Sequence, residues 1–177
     1  MKYLTKSRFK QGLECPIKLT SNYKSSEKND DFLAALADGG FQVEELSRLH
    51  YKNGVLIEKY DNDISVSKTN NLLKKKNCII YEAAFLNEQL FVRTDILVKA
   101  ENTIKVIEVK AKSFDSTMEN IVSTKAGKIK SEWKSYLFDL AFQKHVVKKS
   151  FPERKVESYL MLADKSKRAS IDGLNQL

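Results

Sequence analysis

Cysteine, proline, glycine and histidine are all scarce in this chain of 177 residues, which holds two, two, six and two of them. Two thiols, Cys15 and Cys78, cannot build a disulfide framework. Their small number points to a reducing compartment, here taken as the cytoplasm. So little glycine and proline excludes collagen-like and low-complexity classes. Long apolar runs are missing too: the best, Phe32 to Ala37, is stopped by Asp38, far short of a bilayer span. The opening Met1-Lys2-Tyr3-Leu4-Thr5-Lys6 is basic but lacks the apolar stretch of a secretory signal. No membrane partner is therefore expected. His50 and His145 are too isolated to argue a metal site.

What the chain has in excess is positive charge. Thirty-one Lys and Arg stand against 23 Asp and Glu, a net +8. A surplus of that size on one domain points to a polyanionic partner, with ordinary solubility charge as the alternative. The apolar fraction of 42% and mean hydropathy of −0.43 fit a soluble globular chain. A chain of this length is expected to form a single domain and to bury about 70% of the surface it exposes when unfolded.

Residues 4–20 read as an entry helix capped by Thr5 or Ser7, with Phe9, Leu13, Ile17 and Leu19 on a partly buried face and Pro16 interrupting it. Residues 21–31 are polar, a loop or a helix start. Residues 32–50 carry helical spacing through Phe32, Leu36, Val43, Leu46 and Leu49, with Gly39-Gly40 marking either two helices or a close packing contact. Val55 to Ile57 is a short buried strand candidate, and Thr69 to Lys76 a short helix. Then Cys78–Leu86, Leu90–Val98 and Ile104–Ala111 read as strands, with Asn87-Glu88 and Glu101-Asn102 at the turns. Residues 113–130 form a long polar loop. Glu132–Lys149 is an amphipathic helix and Val156–Leu162 a last strand. The order helix, three-strand meander, helix, strand predicts an α/β fold whose mixed central sheet is flanked by helices. The divisions are 1–31 as entry segment, 32–162 as core and 163–177 as tail.

Two adjoining strands carry the sharpest chemistry. With a two-residue turn at Glu101-Asn102, Asp95 lies directly opposite Glu108, and the two Cβ atoms sit about 5 Å apart. Like charges so placed destabilise a sheet unless a cation lies between them. Alternation puts Lys110 beside Glu108, while Ile107 and Val109 point into the core. Mg²⁺ or Mn²⁺ suits two carboxylates, with the Val109 carbonyl as a further oxygen ligand. The structural alternative is a solvated sheet face on which Asp, Glu and Lys neutralise one another.

Asp95 … Glu108-Val109-Lys110, set in this element order, resembles the PD-(D/E)xK nuclease superfamily. Within it the chain is similar to the RecB- and Cas4-like branch, and most of all to the uncharacterised bacterial DUF2779 family. The matching segments are Leu4-Thr5-Lys6-Ser7-Arg8-Phe9 … Gly12 … Cys15-Pro16, Tyr81-Glu82-Ala83-Ala84-Phe85, Arg93-Thr94-Asp95-Ile96-Leu97-Val98, Ile107-Glu108-Val109-Lys110-Ala111-Lys112-Ser113 and Asp139-Leu140-Ala141-Phe142-Gln143. The resemblance implies a restriction-endonuclease-like core and Mg²⁺-dependent hydrolysis of DNA. Asp95 and Glu108 would hold the metal, and Lys110 would orient or activate the attacking water. It further implies a metal ligand from the first core helix, for which Glu44 is the choice and Glu45 the competitor. Gln143 matches the glutamine of the branch's QxxxY motif, although Val147 stands where the tyrosine would be.

Cys15-Pro16 resembles the first ligand of a Cas4-type iron–sulfur cluster, but four thiolates are needed and this chain has two, so no such cluster is expected from it alone. Family members often continue past the last core strand, which leaves room for a further C-terminal domain or a protein partner. Lys112, Lys125, Lys128 and Lys130 follow the Glu108-Val109-Lys110 strand and are candidates for tracking a DNA backbone. Two other readings stay open: a binding module that keeps this fold without turnover, and a small basic interaction protein.

Overall fold

The β-branched and aromatic stretch from Asn77 to Phe114 folds as three successive antiparallel strands, and the rest of the chain is arranged around them. The structure, a computed structural model, describes the backbone of residues 3–20, 31–58, 61–122 and 127–168, and the side chains of these apart from 31–38. In order the elements are β1 (Leu4–Thr5), α1 (Lys6–Glu14), α2 (Ile17–Thr20), α3 (Asp31–His50), β2 (Val55–Leu56), α4 (Asn62–Leu72), β3 (Asn77–Asn87), β4 (Leu90–Ala100), β5 (Thr103–Phe114), α5 (Ser131–Ser150) and β6 (Lys155–Asp164). The sheet runs β2-β3-β4-β5-β6, and β1 joins beside β4. β3, β4 and β5 form an antiparallel meander; β1, β2 and β6 each lie parallel to a neighbour. The fold is thus α/β, a mixed sheet of six strands flanked by helices.

Alternation along the strands separates two packed faces. On one, Leu97, Ile104 and Val106 pack with Leu140, Val146 and Val147 of α5, and Phe9 of α1 stacks on Phe142 with ring centroids 4.7 Å apart. On the other, Tyr81, Ile96, Ile107 and Val109 pack with Val43 of α3 and with Tyr51. Both faces are covered, so the one carrying Glu108 is an interior rather than the surface that the strand pattern predicts. One glycine makes a close approach: a Cβ on Gly54 would come within 2.3 Å of the Tyr81 ring.

Several boundaries differ from the sequence reading. The entry helix is two helices behind a short strand, because Pro16 cannot continue α1, and Leu13 and Ile17 are exposed rather than inward. Val55 and Leu56 are exposed as well; the buried residue is Ile57, whose N–H donates to the Tyr81 carbonyl at 3.0 Å. α4 begins at Asn62, not Thr69. Asp61 caps it by accepting from the Asp63 N–H at 2.9 Å. Its inner face is polar, which hid it from apolar periodicity: Thr69 Oγ1 donates to the Ser65 carbonyl at 2.9 Å and accepts the Ala84 N–H at 3.0 Å. The lysines of 74–76 lie beyond its end, where buried Lys99 donates to the Leu73 carbonyl at 2.9 Å and also to that of Lys75. The β3–β4 turn is Glu88-Gln89, one residue later than the sequence suggests.

α3 runs unbroken through Gly39-Gly40, and a Cβ at either glycine meets nothing within 4 Å. Neither glycine is therefore held by a close packing contact among the described residues. Gly39→Ala and Gly40→Ala should each stabilise the protein, by up to about 1 kcal/mol, because alanine loses less backbone freedom in a helix. Denaturant midpoints check this, and a lower midpoint in either variant would contradict an open helical position.

Candidate functional site

β4 is shared by two neighbours along one edge. Near its start it pairs with β1, Leu4 against Leu90 and Thr5 against Phe91. Near its end it pairs with β5, from Ala100 against Thr103 to Ile96 against Ile107. This is the register the two-residue turn predicts. One step further, where Asp95 would face Glu108, the ladder stops. The Val109 N–H donates instead to Asp95 Oδ2 at 2.7 Å. A wedge opens between β1 and β5, and the residue following each strand pairing, Lys6 on one side and Glu108 on the other, turns into it. On the opposite edge of β4 the pairing with β3 skips one residue: Tyr81 faces Ile96 and Ala83 faces Thr94, while Glu82 between them has φ 56°. A depression of about 230 Å³ at this point is lined by Lys6, Glu82, Arg93 and Asp95, among others.

Glu108 is 0% exposed, and its carboxylate is surrounded by donors. Lys6 Nζ reaches Oε1 at 2.9 Å and Oε2 at 3.1 Å. Lys110 Nζ also donates to Oε1, and Gln143 Nε2 donates to Oε2. Burial pushes the Glu108 carboxyl up, but the Lys6 and Lys110 ammoniums outweigh that and hold it below its ordinary value. Asp95 goes the other way. Burial first, and the Glu108 charge second, push it from 3.8 up to about 7, against the pull of Lys6, the Val109 N–H and Lys110. Burial lowers Lys6, yet Glu108 and then Asp95 raise it by more. The two neighbouring carboxyls thus shift in opposite directions, Glu108 down through its ammonium partners and Asp95 up, mainly through burial.

Behind Glu108 the inner face of α5 continues the polar seam. Asp139, one turn before Gln143, accepts from Lys10 Nζ at 3.2 Å. Asp139 Oδ1 and Gln143 Oε1 are buried without a partner among the described residues. Lys6 and Lys10 are one turn apart on α1, so two rungs, Lys6–Glu108 and Lys10–Asp139, tie α1 to the sheet and to α5.

Of the residues singled out from the sequence, Asp95, Glu108, Lys110, Gln143 and Val109 meet here. Glu44 and Glu45 do not. Glu44 accepts from Arg48 Nη2 at 2.6 Å and Glu45 from Arg48 Nη1 at 2.9 Å. The reason is the packing of α3, which covers the sheet face to which Ile107 and Val109 point, opposite to Glu108. Lys112 is engaged with aromatic rings, its Nζ 4.8 Å from the Trp133 centroid and 5.9 Å from that of Tyr136. Lys128 is exposed and Lys130 half-buried, at the far end of the long loop; Lys125 lies outside the described residues. Cys15 and Cys78 are free and half-buried.

Sequence reasoning missed Lys6, Glu82, Lys10 and Asp139 as site residues. For Lys6 a signal existed: it opens α1 directly after the Thr5 cap, where a cation opposes the helix dipole. Asp139 likewise is an acid on the buried stripe of α5, one turn before Gln143.

Among the described residues no three His, Cys, Asp or Glu side chains gather as a metal-holding group. Two carboxylates are the number with which Mg²⁺ is commonly held when waters and a phosphate fill its other positions. In a strand a residue's N–H and C=O leave along the same edge. The Val109 carbonyl therefore faces the Asp95 side, as its N–H does. Asp95, Glu108 and the Val109 carbonyl form an oxygen-only donor set, the chemistry a hard divalent cation takes. Among the described residues no helix is long and apolar enough to cross a membrane. Comparison of the chain with models of known families, with curated proteins and with solved structures finds no match.

Proposed function

We propose that this chain is a divalent-metal-dependent nuclease domain of the PD-(D/E)xK type that hydrolyses phosphodiester bonds in DNA. The observation that carries the reading is the meeting of Asp95, Glu108 and Lys110 at the point where β5 leaves β4, with an unbalanced carboxyl between them. Asp95, Glu108 and the Val109 carbonyl would hold Mg²⁺ or Mn²⁺. When bound, such an ion polarises the phosphoryl oxygen and makes water a better nucleophile at neutral pH. Lys110 supplies a fixed positive charge beside the reacting phosphate and a donor that orients the attacking water. Gln143 is a positioning residue: its amide, fully buried on α5, fixes the plane of the Glu108 carboxylate. The net charge of +8 draws polyanions to the domain at low salt.

A second reading, a nucleic-acid-binding module without turnover, is favoured by the engagement of Glu44 with Arg48 and by Val147 where the branch has tyrosine. Incubating end-labelled single- and double-stranded DNA with Mg²⁺ or Mn²⁺, beside an EDTA control, separates the two. Metal-dependent shortening of the label, lost in Asp95→Ala, is the expected result. Salt-sensitive DNA binding with intact label in every metal would instead support the second reading.

A further inference from the structure

We propose that Lys6 is a displaceable counter-cation of the metal seat: its ammonium occupies the divalent ion's place against Glu108 and withdraws when the ion binds. The inference rests on the metal reading above and goes beyond it by assigning the entry segment a part in metal binding.

A carboxylate offers about four lone-pair positions. Glu108 receives four donor contacts, two from Lys6, one from Lys110 and one from Gln143. An incoming cation therefore has to remove a donor before it can bind this residue. Gln143 is fully buried on α5 and has nowhere to go. Lys110 touches only Oε1 and does not line the depression that contains Asp95. Lys6 spans both oxygens of Glu108 and lines that depression together with Asp95. Its nitrogen thus covers both Glu108 oxygens on the side of the depression that Asp95 lines, and it feels the Asp95 charge as well. Its side chain is 27% exposed, so a path to solvent is open. The stem leaves α1 immediately after the two-residue β1, so a rotamer change at Lys6 leaves the Leu4–Leu90 and Thr5–Phe91 pairings untouched. Of the two ammoniums on Glu108, Lys6 alone contacts both oxygens, so it alone leaves a divalent ion no oxygen free of repulsion at contact distance.

Calorimetric titration of the full chain with Mn²⁺ alone tests this, since it needs no turnover. Lys6→Met should bind Mn²⁺ more tightly by roughly ten- to a hundredfold, the worth of the charge-assisted hydrogen bonds the ion no longer has to break. Glu108→Gln should abolish binding in both backgrounds. Wild-type binding that is unchanged or weakened in Lys6→Met would overturn the role of Lys6 and leave the metal reading standing. No binding in either chain would overturn both. A measurement on the wild type stands apart from whether Lys6→Met folds: reductive methylation followed by mass spectrometry. Lys6 should react slowly without metal and several-fold faster with Mn²⁺, with Lys165 as a remote control. A Lys6 rate that stays level or falls on adding Mn²⁺ would also overturn the proposal.

Discussion

Lys110→Ala is expected to bind DNA as the wild type does and to cleave it slower by about two to four orders of magnitude, the span typical of losing one fixed charge or proton-transfer group. Lys110 lies on β5 two residues beyond Glu108, and its half-buried ammonium donates to the Glu108 carboxylate. Its removal subtracts one charge from +8, so the salt dependence of binding should fall by no more than about one unit. The loss should lie in the single-turnover rate at saturating enzyme, not in the half-saturation point. Lys110→Arg sharpens the result. Arginine keeps the charge but cannot give up a proton. Recovery of most of the rate in Lys110→Arg would assign Lys110 to charge stabilisation; a rate as low as in Lys110→Ala would assign it to proton handling. Wild-type cleavage by Lys110→Ala would remove Lys110 from the chemistry altogether.

The site is legible in the sequence to the extent that local rules fix it. Alternation along β4 and β5 and a two-residue turn determine which residues face each other, and these alone put Asp95, Glu108 and Lys110 on one face. What those rules do not contain is whether that face is wet. Glu108 is buried because α1 and α5 lie over it, and the Lys6–Glu108 contact joins residues 102 positions apart. No window of sequence holds both. The choice of Glu44 meets a related obstacle: helical periodicity shows that α3 has an inner face, but not which side of the sheet that face covers. α4 is misplaced by apolar spacing because Ser65 and Thr69 bury hydroxyls while Ile64 is exposed, and the inward pair Leu72-Leu73 sits only at its end. The meander can be read where the helices cannot, since period-two alternation carries its own register and helix docking does not.

Asp95→Asn should make the metal-free protein more stable at pH 8, while removing its response to metal. Asp95 is pushed from 3.8 up to about 7 in the folded protein. An acid whose folded-state value is raised binds its proton more tightly folded than unfolded, so ionisation works against folding. That penalty is absent below about pH 4, grows as pH rises toward 7, and is complete above it. Its size is on the order of a few kcal/mol, given 1.36 kcal/mol per pKa unit. Asparagine keeps an oxygen for the Val109 N–H, which Asp95 Oδ2 accepts at 2.7 Å, and offers Glu108 an amide instead of a charge. In EDTA the melting temperature of Asp95→Asn should exceed that of the wild type by several degrees at pH 8, the gap closing as pH falls toward 4. Saturating Mn²⁺ should reverse the order, because an ion that binds only the folded wild type adds about 2.7 kcal/mol at a hundredfold excess over its dissociation constant. Paired melting curves at pH 5 and pH 8, with and without Mn²⁺, decide the matter. A wild type that is the more stable protein at pH 8 in EDTA would mean that Lys6 and Lys110 already balance both carboxylates and that no cation is missing from the seat.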